Sequence, residues 1–385
     1  MNVMPRILVL TLSFGSGHSQ AARAIAKELK HIAPHAEVWA VDALEECGLL
    51  FRACYEWPYW MMLRYAPVLW ERLSAARLKH KHESTAPNWA FRLGCPKVFE
   101  AIEEFKPAVI VAVEVAACEM AVIARGLGIT RARIVNVITD YEAEPIWVKP
   151  EIEVFTVADE HVRAELIEWG APANKIAICG IPVDASFEVK HDQNATRGRH
   201  GITDDLPLVL LMGGGMGPTR MDRVAHALAS TEVPMHIVAI AGRDQRARRK
   251  LTGLKVKPPV SLRILGWSDD VPALMQAASL LATKPGGLTL LEAALSSLPM
   301  LLFDPIPGAE FVNAKRMIDA GAAVITTGAN ETAAKIVSLL RDEPARRAMS
   351  QAANGVARPH ARREIAQIVL ELSAPAGTMA RRMTA

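Results

Sequence analysis

A glycine turn followed by a glutamate is the part of this sequence best suited to chemistry. The turn Lys284-Pro285-Gly286-Gly287 follows an apolar run that predicts a buried parallel strand, and it precedes a helical pattern over 288–296. Glycine lets the backbone approach a ligand closely, and the first N–H groups of the helix favour an anion such as a diphosphate. Glu292, further along that helix, is placed to accept hydrogen bonds from sugar hydroxyls. The alternative is a plain strand–helix turn with a surface glutamate.

A second glycine turn repeats this arrangement earlier in the chain. The strand-like run 208–212 enters Gly213-Gly214-Gly215-Met216-Gly217, and a helical pattern begins at Met221. Consecutive glycines lose much backbone entropy on folding, so their presence after a buried strand indicates close approach to a ligand. A flexible turn between domains is the alternative.

A third turn places a histidine where a strand becomes a helix. The run 7–12 leads into Ser13-Phe14-Gly15-Ser16-Gly17-His18, which lacks the spacing of a dinucleotide fingerprint. Ligands of open α/β sheets bind at this edge, and imidazole titrates near neutral pH, so His18 is a candidate general base. Asp140 ends another predicted strand at the same edge and is its candidate partner. Either side chain could instead be a cap.

The composition excludes several classes of protein. A net charge of +3 is too small to indicate nucleic acid binding, and 385 residues favour two domains. Five cysteines without a C-x-x-C pair predict neither a disulfide framework nor a zinc site, but reduced thiols in a cytosolic protein. No secretory signal is predicted, because the first apolar run is short and continues into a strand–turn–helix pattern.

An aromatic segment over 47–70 is the one candidate membrane contact. Arg52, Glu56 and Arg64 exclude a spanning helix, since each charge would cost about 2.5–3.5 kcal/mol near the bilayer centre. Aromatic rings interleaved with arginines suit the membrane interface, and the basic run 72–82 would favour anionic headgroups. A buried helical hairpin or a dimer contact is the alternative.

The order of predicted elements gives the fold class. Strand and helix signals alternate through both halves of the chain, which predicts an α/β protein with two doubly wound Rossmann-like domains facing a central cleft. We place the first domain at 1–188, a linker at 189–206, the second domain at 207–358, and a C-terminal helix and tail at 359–385.

Several motifs in order resemble one family. They are Gly15-Ser16-Gly17-His18 with Gln20-Ala21-Ala22, Thr139-Asp140-Tyr141 with Ile146-Trp147-Val148, Gly180-Ile181-Pro182-Val183, the turn 213–217, Gly266-Trp267 with Asp270, and the stretches 284–292 and 304–313. From Ile7 to about Ile325 the chain resembles the monogalactosyldiacylglycerol synthase and processive diacylglycerol glucosyltransferase family, which are family 28-like glycosyltransferases of the GT-B fold.

The resemblance implies an inverting transfer of glucose or galactose from a UDP-sugar to diacylglycerol or a related membrane lipid. It implies no cofactor and no metal for the chemistry, no nucleic acid partner, and a cytoplasmic protein bound peripherally to an anionic inner membrane face. His18 and Asp140 would be catalytic. The first domain would bind the acceptor and membrane through Gly17, Trp57, Trp60, Arg64 and Trp70. The donor would be bound by Gly213, Gly214, Gly215, Gly217, Gly286, Gly287, Thr289, Glu292, Glu310 and Asn313, with Glu292 on the ribose and the last two on the hexose.

Two departures from the family pattern leave specificity open. Ala309 stands where the family commonly has Gln, and Glu142 and Glu144 stand where it often has His. Glucose and galactose are therefore not distinguished. The remaining alternatives are a non-diacylglycerol acceptor such as a polyprenyl-linked sugar, a non-catalytic UDP-sugar sensor at the membrane, and a hexosamine epimerase of the same fold, which the aromatic segment and the 286–292 motif fit poorly.

Overall fold

The computed structural model describes residues 4–13, 16–66, 68–70, 72–73, 84–214 and 220–374. They form two compact units, one made of residues 1–184 and 360–385, the other of residues 185–359. Each unit is built on one parallel six-stranded sheet. The predicted α/β class with two doubly wound domains is therefore confirmed.

The first unit alternates strands and helices along most of its length. Its elements are β1 (Arg6–Thr11), α1 (Ser16–Ile32), β2 (Glu37–Asp42), α2 (Ala43–Glu46), α3 (Leu49–Tyr65), α4 (Asn88–Gly94), α5 (Pro96–Phe105), β3 (Val109–Val113), α6 (Val115–Gly126), β4 (Arg133–Val137), a 3-10 turn (Pro145–Trp147), β5 (Ile152–Val157), α7 (Glu160–Glu168), a 3-10 turn (Ala173–Lys175) and β6 (Ile176–Ile178). The sheet order is β2-β1-β3-β4-β5-β6, so the strand order reverses beside β1 and β3.

The second unit repeats this plan. Its elements are a 3-10 turn (Ala185–Glu188), α8 (Gln193–Arg199), β7 (Leu208–Met212), α9 (Met221–Ala229), β8 (Met235–Ile240), α10 (Gln245–Thr252), β9 (Val260–Leu265), α11 (Val271–Ala277), β10 (Leu280–Thr283), α12 (Gly287–Leu295), β11 (Met300–Leu302), α13 (Ala309–Asp319), β12 (Ala323–Ile325), α14 (Ala329–Arg341) and α15 (Glu343–Val356). The order β12-β11-β10-β7-β8-β9 reverses between β7 and β10.

The central strands of both sheets are apolar because helices cover both of their faces. Strand β3 is fully buried along its length, and so are Leu208–Leu211 of β7. These runs formed the basis of the strand predictions, and the structure confirms them with shifts of one or two residues at their ends. In both units the loops at the reversal of strand order emerge from such buried strands, where ligands of open α/β sheets bind.

Two segments outside the sheets, the last helix and the stretch predicted as a linker, each pack on one unit. The last helix, α16 (Ala361–Ser373), packs on α1 of the first unit, where Arg362 and Glu28 form a buried ion pair with Nε–Oε2 at 3.0 Å. The predicted linker 189–206 contains α8, which belongs to the second unit. Asp270 at the start of α11 accepts from Arg199 at 2.9 Å and contacts His200 at 2.8 Å, so this stretch is ordered by ion pairs rather than by apolar periodicity.

The expectation that no disulfide forms was wrong. Cys47 and Cys95 are bonded across a sequence separation of 48 residues, whereas Cys54, Cys118 and Cys179 are free thiols. The bond joins the residues flanking α3 and α4, and the Gly48 N–H donates to the Gly94 carbonyl at 2.7 Å beside it. These contacts are long-range in sequence, so cysteine spacing alone could not indicate them.

Helix α3 contains the aromatic segment. Within the described ranges, no helix has the length and apolarity needed to cross a bilayer. The ring of Phe51 lies 5.8 Å from that of Phe91 in α4, and Leu63 is buried, so one side of α3 packs inward. Leu50, Cys54 and Trp57 recur at helical spacing and are exposed, so the other side faces solvent.

Candidate active site

His18 lies in the first turn of α1, as the strand–turn–helix pattern predicted. Its Nδ1 is 2.8 Å from the hydroxyl of Thr139, which follows β4. Burial lowers the pKa of His18, and the negative charge of Asp140 partly opposes that shift. The imidazole is therefore neutral at neutral pH. Among the described residues its Nε2 has no hydrogen-bond partner, so this nitrogen can accept a proton when Nδ1–H donates to Thr139.

Two carboxyl groups, those of Asp140 and Glu142, follow β4 at the same sheet edge. Asp140 is half-buried, and its charge acts on His18. Burial, with the charges of Glu144, Glu165 and Asp140, raises the pKa of Glu142 to about 7. The structure thus brings Asp140 and His18 together, and the charge of Asp140 also acts on Glu142, one of the two glutamates that depart from the family pattern.

Glu114 is a further acid at this edge that the sequence analysis missed. It directly follows β3, has a φ of 149°, and caps α6 by accepting from the Ala116 N–H at 2.7 Å. Burial raises its pKa to about 8, so its carboxyl group is largely protonated at neutral pH. Its position directly after a buried strand is the sequence signal that could have identified Glu114 as a candidate site residue.

The glycine turns of the second unit follow the two strands at the reversal of strand order. Gly213 is buried after β7, and Gly214 has a φ of +78°, a conformation that favours glycine. Gly215 and Gly217 lie outside the described residues. Gly286 precedes α12 without any side-chain cap, and Gly287 opens the helix. The first-turn N–H groups of α12 are thus available to an anion.

Four side chains predicted to contact the donor lie on the helices α12 and α13. Thr289 and Glu292 are half-buried in α12. The Glu310 carboxylate accepts from the Ile306 N–H at 2.6 Å. Asn313 is fully buried, and its Nδ2 donates to the Pro285 carbonyl at 3.2 Å. This hydrogen bond fixes the backbone of the glycine turn to α13.

Lys284 is the residue of this turn that the sequence analysis quoted without giving it a role. Its side chain is almost completely buried, with 4% of the residue exposed. A buried lysine in a glycine turn is unusual, because lysine is almost never buried unless paired. The burial of a lysine side chain depends on tertiary packing, so the sequence motif alone could not predict that Lys284 is buried.

The residues predicted to meet the membrane are partly described. Trp57 is 64% exposed on α3, and Trp70 packs edge-on against Tyr59 with ring centroids 5.1 Å apart. Gly17 lies beside His18 in α1. The side chains of Trp60 and Arg64, and residues 74–83 of the basic run, lie outside the described part of the chain.

Helix α4 adds exposed apolar residues that the sequence analysis missed. Trp89 and Leu93 are 66% and 76% exposed and lie one turn apart on one side of α4. The Phe51 ring packs on Gly94, which together with the Cys47–Cys95 bond holds the start of α3 against the end of α4. We call the exposed residues of these two helices the α3–α4 apolar surface; they are Leu49, Leu50, Trp57, Trp89 and Leu93.

A cavity of about 790 Å³ opens beside this surface, within the volume range of small-molecule sites. Its walls come from α4, α6 and the segment 145–151, and they include Trp89, Ile123, Val148 and Trp169. Among the described residues, no group of three or more His, Cys, Asp or Glu side chains is arranged to hold a metal ion.

Two family models match successive parts of the chain. Residues 18–183 match the family described as Monogalactosyldiacylglycerol (MGDG) synthase, and residues 192–356 match Glycosyl transferases group 1. These matches cover His18 and its surroundings in the first unit and the glycine turns in the second.

Curated relatives cover almost the whole length. A processive diacylglycerol beta-glucosyltransferase of Bacillus cereus (strain AH187) is 25% identical over 367 residues, which is 95% of this chain and 93% of that protein. The enzyme of the same name from Bacillus thuringiensis (strain Al Hakam) is 25% identical over 368 residues, with 95% and 94% covered.

Solved structures support the fold. MurG of Acinetobacter baumannii aligns with a TM-score of 0.63 at 17% identity, covering 95% of this chain and 99% of that one. Anabaena Alr3699/HepE, solved in complex with UDP-glucose, aligns with a TM-score of 0.57 at 17% identity and the same coverage. The predicted GT-B fold is thereby confirmed.

Proposed function

We propose that this chain, whose residues 18–183 match the MGDG synthase model and whose residues 192–356 match the group 1 glycosyl transferase model, transfers glucose or galactose from a UDP-sugar to diacylglycerol or a related membrane lipid. The transfer inverts the anomeric centre. The UDP-sugar is a co-substrate, and the proposal needs no further cofactor.

The observation that carries the proposal is the neutral His18 held by Thr139. A sugar transfer requires a base that removes the proton of the acceptor hydroxyl as its oxygen attacks C1 of the hexose. With Nδ1 fixed by Thr139, Nε2 of His18 takes that proton. The lowered pKa keeps the base form available, and Asp140 favours the imidazolium that forms. The bond from C1 to the β-phosphate oxygen breaks, and UDP leaves with the electron pair.

The donor is assigned to the second unit. The turns at Gly213-Gly214 and Gly286-Gly287 allow close backbone approach to the diphosphate, with the N-terminus of α12 favouring its charge. Glu292 accepts from the ribose hydroxyls, and Glu310 from the hexose. Curated relatives are named as glucosyltransferases, and a solved neighbour carries UDP-glucose, which supports a UDP-hexose donor.

The lipid acceptor is supported by the α3–α4 apolar surface and by charge. Between residues 47 and 97 the sequence carries eight Lys and Arg and three Asp and Glu, a net charge of +5, whereas the whole chain carries +3. A basic, apolar surface fits an anionic bilayer, where each Lys or Arg contributes about 1 kcal/mol. The cavity beside α4 is suited to an acyl chain, since several of its walls are apolar. We place the enzyme peripherally on the inner membrane face.

Incubation with liposomes containing diacylglycerol tests the proposal. Each reaction receives one donor from a panel of UDP-sugars that includes UDP-glucose and UDP-galactose, and mass spectrometry identifies the product. A parallel set of liposomes carries a polyprenyl-linked sugar. His18→Ala, checked for an unchanged melting temperature, is the matched control and should lose roughly 10²–10⁴-fold in turnover. A wild-type enzyme that glycosylates only the polyprenyl acceptor, or none, would contradict the assignment.

A further inference from the structure

Lys284 is a buried cation without a counter-charge among the residues that the structure describes. No carboxylate or hydrogen-bond acceptor of those residues contacts its Nζ, although only 4% of the residue is exposed. The sequence after Gly214, Gly-Met-Gly-Pro-Thr at 215–219, contains no acidic residue. A lysine side chain is almost never buried to this extent without a partner, so an anion that is not part of the described chain would complete the site.

The position of Lys284 is that of a ligand-binding residue. Thr283 pairs with Met212 across β10 and β7, so Lys284 and Gly213 leave adjacent strands at the reversal of strand order. A Cβ built on Gly214 would lie 3.3 Å from Cε and 3.9 Å from Nζ of Lys284. The lysine side chain therefore runs alongside the backbone of the first glycine turn.

Two further features at this position point to an anion. The hydroxyl of Thr283 is buried and has no hydrogen-bond partner among the described residues. Helix α12, nine residues long, begins at Gly287 with no side-chain cap on its first N–H groups. A cation, an unpartnered hydroxyl and an uncapped helix N-terminus thus lie within five residues of sequence, 283–287, and a diphosphate suits all three.

We propose that Lys284 binds the diphosphate of the nucleotide-sugar and stabilises UDP as it leaves. This inference rests on the proposed donor. In the transfer step the bond between C1 and the β-phosphate oxygen breaks and its electron pair stays on that oxygen. Charge therefore builds up on the diphosphate, where the ammonium group of Lys284 neutralises it, while the acceptor proton goes to His18. A preorganised cation at a leaving group stabilises the transition state more than the ground state.

Binding of UDP and of uridine to Lys284→Met tests this role. Methionine keeps an unbranched side chain of similar length but lacks the charge. UDP affinity, measured by calorimetry, should fall roughly 10- to 100-fold, as expected for a hydrogen bond to a charged group. Uridine affinity, measured by ligand-observed NMR, should change less than about twofold, because uridine has no phosphate. Lys257→Met, at an exposed position of the same unit, is the control and should match wild type in both.

The outcomes separate the two proposals. Equal loss of UDP and uridine affinity, together with a lower melting temperature, would show that Lys284 only supports the turn and would overturn the inference. Unchanged UDP affinity in Lys284→Met would also overturn it. A wild-type protein that binds neither UDP nor any UDP-sugar would instead refute the proposed donor, and with it this inference. If Lys284→Met does not fold, Lys284→Gln gives the same comparison.

Discussion

The hydroxyl oxygen of Thr139 lies 2.8 Å from Nδ1 of His18, so a residue that follows β4 sets the orientation of a ring on α1. Strand β3 lies between β1 and β4, and the contact spans 121 residues of sequence. Thr139 is thus a positioning residue for the candidate base.

Replacing Thr139 by valine should lower kcat about fivefold, with little change in the KM for the UDP-sugar. Valine keeps the shape of threonine but cannot hold Nδ1, so the ring loses its orientation, at a free energy of about 1 kcal/mol for one hydrogen bond. Thr139→Ser keeps the hydroxyl and should retain most activity. Steady-state kinetics of the two variants test this prediction. Equal kcat values in both would contradict the positioning role of Thr139.

The rate should depend on pH through His18. Burial lowers the pKa of His18 below 6.5, so the base form persists to mildly acidic pH. The value of kcat should therefore fall only when the pH drops below this lowered pKa. Asp140 raises the His18 pKa, so Asp140→Asn should shift the acid limb to still lower pH. The measurement is the pH–rate profile over the range where circular dichroism shows both proteins folded. A shift of the limb to higher pH would show that Asp140 does not act on the base through its charge.

Gly214→Ala should weaken UDP binding by placing a methyl group against Lys284. Gly214 and Gly328 have nearly equal positive φ angles, +78° and +79°, so alanine strains both backbones alike. A Cβ at Gly328 would meet no atom within 4 Å, whereas one at Gly214 would lie 3.3 Å from Lys284 Cε. Similar losses of melting temperature, with UDP affinity reduced only in Gly214→Ala, are expected from calorimetry and thermal denaturation. Equal UDP affinity in the two variants would remove Gly214 from the donor site.

Substitution of Glu292, Glu310 or Asn313 should change the affinities for UDP and for UDP-sugar to different extents. Glu292→Ala should weaken UDP itself about tenfold or more, since it removes a charged acceptor from the ribose. Glu310→Ala should weaken UDP-sugar more than UDP. Asn313→Ala should weaken both, because its amide holds the Pro285 carbonyl in the glycine turn. Calorimetry with UDP and UDP-glucose gives all three comparisons, and unchanged UDP affinity in Glu292→Ala would refute the ribose assignment.

Sequence patterns predicted the buried strands and the turns that follow them, because both signals are local. Strand β2 was not predicted. It lies at the sheet edge, its apolar run Val38–Val41 has only four residues, and Trp39 is exposed. The short strand β12 (Ala323–Ile325) offers too few residues for a pattern. The burial of Lys284, the contact of Thr139 with His18, and the pairing of Cys47 with Cys95 are products of tertiary packing between distant segments. These features therefore could not be predicted from the residue types alone.

Trp57→Ala combined with Trp89→Ala should reduce binding to vesicles, including neutral ones. Both rings are more than half exposed, so their loss removes apolar insertion and leaves the fold intact. Trp39→Ala, a partly exposed tryptophan outside the α3–α4 apolar surface, is the matched control and should float like wild type. Flotation is measured with neutral and with anionic liposomes at 0.1 M and 1 M salt. Salt shortens the Debye length from about 10 Å to about 3 Å, so it should weaken only the anionic component.

If the folded double variant floats as well as wild type on neutral liposomes, the α3–α4 apolar surface is not the membrane contact. The lipid acceptor would then rest on the similarity to diacylglycerol glucosyltransferases alone.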